Sequence, residues 1–111
     1  MVLRSPSKDE VRLLEFLLSK AQIGVLSEDW RAKLRVSEME DGGMGSLRLF
    51  PDGSQVEDRK FGRRASECQF TDEDGVEVLA SLNLDQDGNL YELDIWKTDF
   101  GKLIRIPAQL A

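Results

Sequence analysis

The residues from Val76 to Ile95 constrain the fold most tightly, because apolar and polar side chains alternate along them on both sides of one turn. Alternation with a period of two is typical of a strand with one buried face. Between the two runs lie residues 85–89 (DQDGN), which carry the aspartate, glycine and asparagine typical of a tight turn. The sequence therefore predicts an antiparallel hairpin over this part of the chain.

Shorter segments of the same kind precede and follow the hairpin. Alternation or apolar runs bounded by glycine, proline and aspartate predict further strands near residues 32–36, 47–49, 61–70 and 103–106. The polar residues 54–59 are expected to form an exposed loop. Connections this short leave no room for crossover helices, so the sheet should be mostly antiparallel.

The N-terminal part of the chain has a helical period instead. Apolar residues recur every three or four positions between Lys8 and Gln22, which predicts a helix with a broad buried face. Ser7 and Glu10 have the spacing of a capping box at its start, and Gly24 lies close to its end. The predicted architecture is α+β, with an N-terminal helix packed on a mostly antiparallel sheet of five to six strands.

Composition limits the classes of function. The 111 residues predict a single α+β domain over residues 1–111, and the net charge of −6 argues against binding to nucleic acid. There is no histidine, which removes the commonest general base and metal ligand. The single cysteine, Cys68, excludes an intramolecular disulfide and is expected to be a buried, inert thiol. No membrane segment or secretory signal is visible, so a cytoplasmic location is expected.

One segment overlays a calcium-binding loop. Counted from Asn83, side-chain oxygens fall at positions one, three, five and twelve, the last being Asp94, and Gly88 falls at position six. Two features favour an ordinary hairpin turn: position twelve is not a glutamate, and the flanks alternate as strands do. We therefore predict no metal site and no cofactor.

Two further clusters have competing interpretations. Four basic residues lie between positions 59 and 64. The favoured interpretation is a solvated strand face, or pairing with nearby acidic turns, and the alternative is a site that binds an acidic partner or a phosphate. Residues Asp99, Phe100 and Gly101 match three letters of a kinase motif, but the rest of that motif is absent from this short chain. They are expected to form a turn in which Phe100 packs inward.

The strongest candidate site follows the turn of the hairpin. Glu92, Asp94 and Trp96 occupy alternate positions of one predicted strand and should share a face, with Asp99 shortly after them. Carboxylates beside an aromatic side chain fit a partner-binding patch, an acid–base pair or an ordinary solvent face. We take Glu92, Asp94, Trp96 and Asp99 as the candidate partner-binding residues and predict no catalytic residue.

Several segments together resemble an uncharacterised family of small bacterial proteins. They are residues 79–83 (LASLN), 85–88 (DQDG), 91–100 (YELDIWKTDF) and 103–104 (LI), with the earlier 41–47 (DGGMGSL) and the leucine-rich first helix. The most distinctive part is ELDIWKTDF at residues 92–100. The family is a domain of unknown function with no established activity, so the resemblance transfers no functional residue. Small acidic α+β proteins of this kind are often immunity partners of bacterial toxins.

The expected function is therefore that of a small, acidic, non-enzymatic protein-binding module, and in its most specific form an immunity protein that neutralises a bacterial toxin. The alternative is a small-molecule-binding protein or enzyme with a carboxylate/arginine pocket, in which Asp94 or Glu92 would face Arg63 or Arg64. Self-association through an exposed strand edge is a third possibility.

Overall fold

The computed structural model describes residues 2–23, 26–53 and 58–110. They form one five-stranded antiparallel sheet and two helices, which confirms the predicted α+β architecture. The helices are α1 (Lys8–Lys20) and the one-turn α2 (Trp30–Lys33). The strands, in the spatial order β1-β2-β5-β4-β3, are β1 (Arg35–Glu38), β2 (Leu47–Phe50), β3 (Phe61–Thr71), β4 (Glu77–Asp85) and β5 (Leu90–Lys97).

The first helix begins as the sequence predicts. The backbone N–H of Glu10 donates to Ser7 Oγ at 3.1 Å, and the backbone N–H of Ser7 donates to Glu10 Oε1 at 2.8 Å, which completes the capping box. The helix ends at Lys20, two residues before the predicted Gln22, and Gly24 lies outside the described residues. No helix among the described residues has the length and apolar character needed to cross a bilayer.

The core lies between α1 and one face of the sheet. Leu13, Leu14 and Leu17 of α1 are fully buried against the side of β3 and β4 that also carries Cys68, which is buried as predicted. Each fully buried leucine contributes about 2 kcal/mol of hydrophobic stabilisation. The same face of the central hairpin presents an unbroken row of buried apolar side chains: Val78, Ala80, Leu82, Leu84, Leu93 and Ile95.

Two predicted strands differ from the structure. Ala32, expected in the first strand, belongs to α2, because its N–H donates to the Asp29 carbonyl and begins a helical turn. Residues 103–106 form no strand. The N–H groups of Ile104 and Arg105 donate to the Asp72 carboxylate at 2.8 and 3.0 Å, so one side chain takes the place of a neighbouring strand.

A buried lysine holds this C-terminal segment to the sheet. Lys97 follows Ile95 on the core face of β5 and lies opposite Val78. Its ammonium group donates to Asp72 Oδ2 at 2.8 Å, to Asp74 Oδ2 at 2.6 Å and to the carbonyl of Lys102 at 3.0 Å. The charge is therefore paired and all three N–H groups of the ammonium have acceptors, which buried charges require.

Arg59 corrects the prediction of an exposed loop at 54–59, of which residues 54–57 lie outside the described residues. Its side chain is only 10% exposed and forms an ion pair with Asp85 at 3.1 Å. It also donates to the carbonyls of Leu49 and Leu90. The guanidinium lies over the Tyr91 ring, 5.0 Å from its centroid. Arg59 thus ties the loop before β3 to β2 and β5, which matches the expected pairing of the basic cluster with an acidic turn.

The acid stability of the protein should depend on Asp72. Burial alone would raise the pKa of Asp72, but hydrogen bonds from the Ile104 N–H and the Lys97 ammonium lower it to about 2. A carboxyl whose pKa is depressed in the folded state stabilises the protein above its unfolded pKa of about 4, and this contribution is lost as the pH falls towards 2. Asp72→Asn should therefore be less stable at pH 7 and lose less stability between pH 4 and 2.

Urea denaturation at several pH values measures both effects. Glu73→Gln is the matched control. Glu73 forms an ion pair of 3.6 Å with Arg105, but both side chains are exposed, and exposed ion pairs contribute little to stability. An Asp72→Asn variant with the same stability–pH curve as the parent protein would contradict this account.

Candidate functional site

The sheet has a second face, opposite α1, which we call the open face. The register of the central hairpin places Glu92, Asp94 and Trp96 on it, because Leu93 and Ile95 between them point into the core. The structure thus brings together three of the four candidate residues on adjacent positions of one surface. Cross-strand pairing extends this surface in three rows: Gln69–Leu79–Trp96, Glu67–Ser81–Asp94 and Arg64–Asn83–Glu92–Arg48.

Asp99 lies apart from the other three. It belongs to the turn after β5, and its Oδ1 accepts a hydrogen bond of 2.8 Å from the backbone N–H of Gly101. Short aspartate side chains stabilise turns in this way. The contacts of Asp99 therefore assign it a structural role in the turn.

A depression of about 320 Å³ lies between β3 and the middle of the open face. Its floor is formed by Ser81 and Asn83 of β4, the strand that lies between β3 and β5. Its walls are formed by Phe61 and Arg64 on one side and Asp94 on the other. An arginine and a carboxylate therefore line one shallow depression.

The side chain at the floor fixes the orientation of the acidic wall. Asn83 is only 5% exposed, and its Nδ2 donates to Asp94 Oδ2 at 2.8 Å. This is the single hydrogen bond that the Asp94 carboxylate accepts within the described residues. A carboxylate can accept about four hydrogen bonds, so Asp94 retains acceptor capacity for a ligand.

The two carboxylates of β5 repel each other. Burial is the main cause that raises the pKa of Glu92, and the nearby charge of Asp94 raises it further, whereas Arg48 and Arg59 lower it. Neither Glu92 nor Asp94 has a cationic partner within 4.0 Å in the described part of the chain. Arg64, by contrast, forms an ion pair with Glu67 at 3.0 Å. The local potential at Glu92 and Asp94 therefore favours an incoming cation.

Aromatic side chains surround the carboxylates. Trp96 is 44% exposed and Phe61 is 57% exposed. Phe100, which was expected to pack inward, is 70% exposed, because it has a left-handed backbone conformation with φ of 62° in the turn after β5. Its ring lies 6.1 Å from that of Trp96, so the two form an exposed aromatic pair.

The position of Phe61 depends on irregular pairing at the start of β3. The register between β3 and β4 shifts between Phe61 and Arg63, and Phe61 pairs with Asp85. A Cβ atom at Gly62 would lie 2.2 Å from the carbonyl oxygen of Asp85, so only glycine permits this approach. Phe61 was not predicted as a site residue, because the register shift breaks the alternation. Ser81 and Asn83 were not predicted either, although both fall at outward positions of the alternating run.

The residues that overlay a calcium loop form the turn of the β4–β5 hairpin. Asp85 Oδ1 accepts from the backbone N–H groups of Asp87 and Asn89 at 2.9 and 3.0 Å, and Oδ2 binds Arg59. Both flanks are strands. Within the described ranges, no group of three or more histidine, cysteine, aspartate or glutamate side chains is placed to hold a metal ion.

The chain matches the family model of a domain of unknown function, DUF6984, over residues 3–107. The chain belongs to this family. The match covers all five strands and α1, and it confirms the predicted resemblance to an uncharacterised family. No curated protein and no solved structure matches the chain significantly. Membership of DUF6984 assigns no activity, so functional inference depends on the open face itself.

Gly62→Ala should disturb the depression and destabilise the protein by about 2 kcal/mol, because the added methyl group collides with the backbone of Asp85. The matched control is Gly101→Ala, whose added Cβ would meet only the flexible end of the Asp99 side chain, 2.9 Å away. Chemical denaturation gives the stability, and the amide spectrum of residues near Ser81 reports the geometry. Equal losses in the two variants would refute the role of Gly62.

The pKa of Glu92 tests the electrostatics of the open face. Carbon-detected NMR titration should give Glu92 a pKa above the ordinary value of a glutamate side chain. Asp94→Asn should lower the pKa of Glu92, because it removes a like charge, and Arg48→Gln should raise it, because it removes a compensating cation. A Glu92 pKa that is insensitive to both substitutions would show that the carboxylates do not interact.

Proposed function

We propose that this chain is a small, non-enzymatic protein-binding module whose partner covers the open face of the sheet. The observation that carries the proposal is the group of exposed aromatic rings beside two carboxylates, on the sheet face opposite α1. Interface centres are enriched in tryptophan and other aromatic side chains, and exposed apolar groups rimmed by polar residues mark interaction sites.

The charge of the open face supports a basic partner. Its three rows contain three carboxylates and two guanidinium groups, and Glu77 adds a further negative charge beside Leu79. The chain as a whole has a net charge of −6, which accelerates association with a positively charged protein. The partner should therefore present a surface rich in arginine and lysine.

In its most specific form, the proposal is that the chain is a bacterial immunity protein that acts in the cytoplasm on a toxin. A nuclease toxin has a basic cleft because it must bind phosphates, and the acidic open face is complementary to such a cleft. Occlusion of the cleft would neutralise the toxin without any chemistry in the immunity protein.

Copurification with the product of the neighbouring gene tests this proposal, together with rescue of growth in co-expression. Trp96→Ala should weaken binding at least tenfold, as truncation of a central aromatic anchor commonly does. The matched control is Trp30→Ala, because Trp30 lies in α2, outside the three rows of the open face. Binding should also weaken as salt is raised. The proposal fails if no partner copurifies, or if both tryptophan variants bind like the parent protein.

A second candidate is a small-molecule-binding protein or enzyme, favoured by the position of Arg64 and Asp94 on opposite walls of the depression. A ligand with both an anionic and a cationic group would suit these walls. Isothermal titration with free glycine and free alanine distinguishes this candidate, because the protein-binding proposal requires no affinity for amino acids that lack a guanidinium group.

Self-association through a strand edge is less well supported. The edge of β1 is partly covered, since Arg4 and Val36 exchange backbone hydrogen bonds of 2.9 and 2.8 Å. The edge strand β3 carries two register shifts and several charged side chains, both of which discourage edge pairing. Light scattering at micromolar concentration should accordingly report a monomer. A dimer would instead support self-association through a strand edge.

A further inference from the structure

We propose that the depression on the open face receives an arginine side chain of the partner, with its guanidinium group on Asp94. This inference rests on the proposed function, because it names the side chain by which a basic partner protein would be anchored. It assigns a ligand class to a concavity made by five residues from three strands: Phe61, Arg64, Ser81, Asn83 and Asp94.

Asn83 orients the Asp94 carboxylate, which would accept hydrogen bonds from the guanidinium. The amide of Asn83 is nearly buried and holds one oxygen of Asp94, which restricts rotation of the carboxylate. An oriented carboxylate suits the planar fork of an arginine, which can donate two parallel hydrogen bonds. The hydroxyl of Ser81 at the floor is a further acceptor within the same concavity.

The charges around the depression select a cation. Glu92 is two positions from Asp94 on the same face of β5, about 7 Å along the strand, and the charge of Asp94 hinders its ionisation. A cation seated on Asp94 would relieve that repulsion. The guanidinium of Arg64 does not supply this positive charge to Asp94, because Arg64 forms an ion pair with Glu67 at 3.0 Å.

Phe61 in the depression and Trp96 beside it favour arginine over lysine. Phe61 forms part of the depression, and Trp96 lies next to Asp94 on the outward face of β5. A guanidinium group is planar and weakly hydrated, and it stacks on aromatic rings while its edge donates to a carboxylate. An ammonium group is a strongly hydrated point charge, so contact with a ring removes more of its hydration and its hydrogen bond to a carboxylate has a less defined geometry. A volume of about 320 Å³ leaves room for the guanidinium and the methylene groups that carry it.

The experiment is an NMR titration of the isolated protein with n-butylguanidinium chloride, with n-butylammonium chloride as the ligand of equal charge. We expect saturable shifts centred on Ser81, Asn83 and Asp94, with affinity for n-butylguanidinium at least about threefold higher than for n-butylammonium. Asp94→Asn should weaken binding at least about fivefold, whereas Glu73→Gln, which removes an exposed carboxylate outside the open face, should leave it unchanged. Binding should also lower the pKa of Glu92.

Equal shifts with both cations would overturn the inference, as would shifts spread over all acidic residues or binding that survives Asp94→Asn. Asparagine has nearly the shape of aspartate, and the melting temperature of the variant shows whether it is folded. If Asp94→Asn is unfolded, Phe61→Ala replaces it and should abolish the preference for n-butylguanidinium.

The inference and the proposed function fail in different ways. If Trp96→Ala weakens partner binding but n-butylguanidinium does not bind, the open face is the interface and the arginine anchor is wrong. If n-butylguanidinium binds as expected but no protein partner exists, the site stands and its occupant is a free guanidinium compound.

Discussion

The ion pair between Lys97 and Asp72 holds three parts of the chain together at one buried point. Lys97 ends the central strand, Asp72 begins the turn between β3 and β4, and the backbone of residues 102–105 is bound to both. Removing Lys97 would leave the buried Asp72 carboxylate without a cation, and removing Asp72 would leave the buried ammonium with Asp74 as its remaining carboxylate. Loss of one member of a buried ion pair is strongly destabilising. The C-terminal segment, which lacks a strand of its own, is held by this cluster and by Arg12 of α1, which donates to the carbonyls of Ile106 and Pro107.

The division of the sheet into two faces follows from the hydrophobic core. Because α1 covers only one side, the alternation that buries Leu93 and Ile95 necessarily turns Glu92, Asp94 and Trp96 outward. No side chain on the open face is needed to fill the core. The residues that could contact a partner and the residues that hold the fold together are therefore largely separate sets on the same strands.

The sequence predicts local features well because their causes are local. The capping box at Ser7 and the hairpin turn at 85–89 need only neighbouring residues, and both occur where expected. The shared face of Glu92, Asp94 and Trp96 likewise follows from strand periodicity alone.

Features that depend on distant residues could not be predicted in the same way. Residues 103–106 have the composition of a strand, but the partner of their N–H groups is a side chain about thirty positions earlier. Phe61 reaches the depression only through a register shift that requires Gly62. The alternation of β5 does indicate that Lys97 points inward, because it follows Leu93 and Ile95 at the inward positions. The alternation does not indicate which carboxylates pair with it.

The alternation along β5 has a consequence for how this family can change. The inward side chains of β5 fill the core, and the outward side chains form part of the open face. The outward positions can therefore accept many substitutions without loss of stability. The strand cannot accept a change of length. Insertion of a single residue before Leu93 would exchange the two sets, placing carboxylates and the tryptophan against α1 and exposing the apolar row to solvent. The outward positions of β5 can therefore vary without loss of the fold, whereas the number of residues between Leu90 and Lys97 must stay fixed.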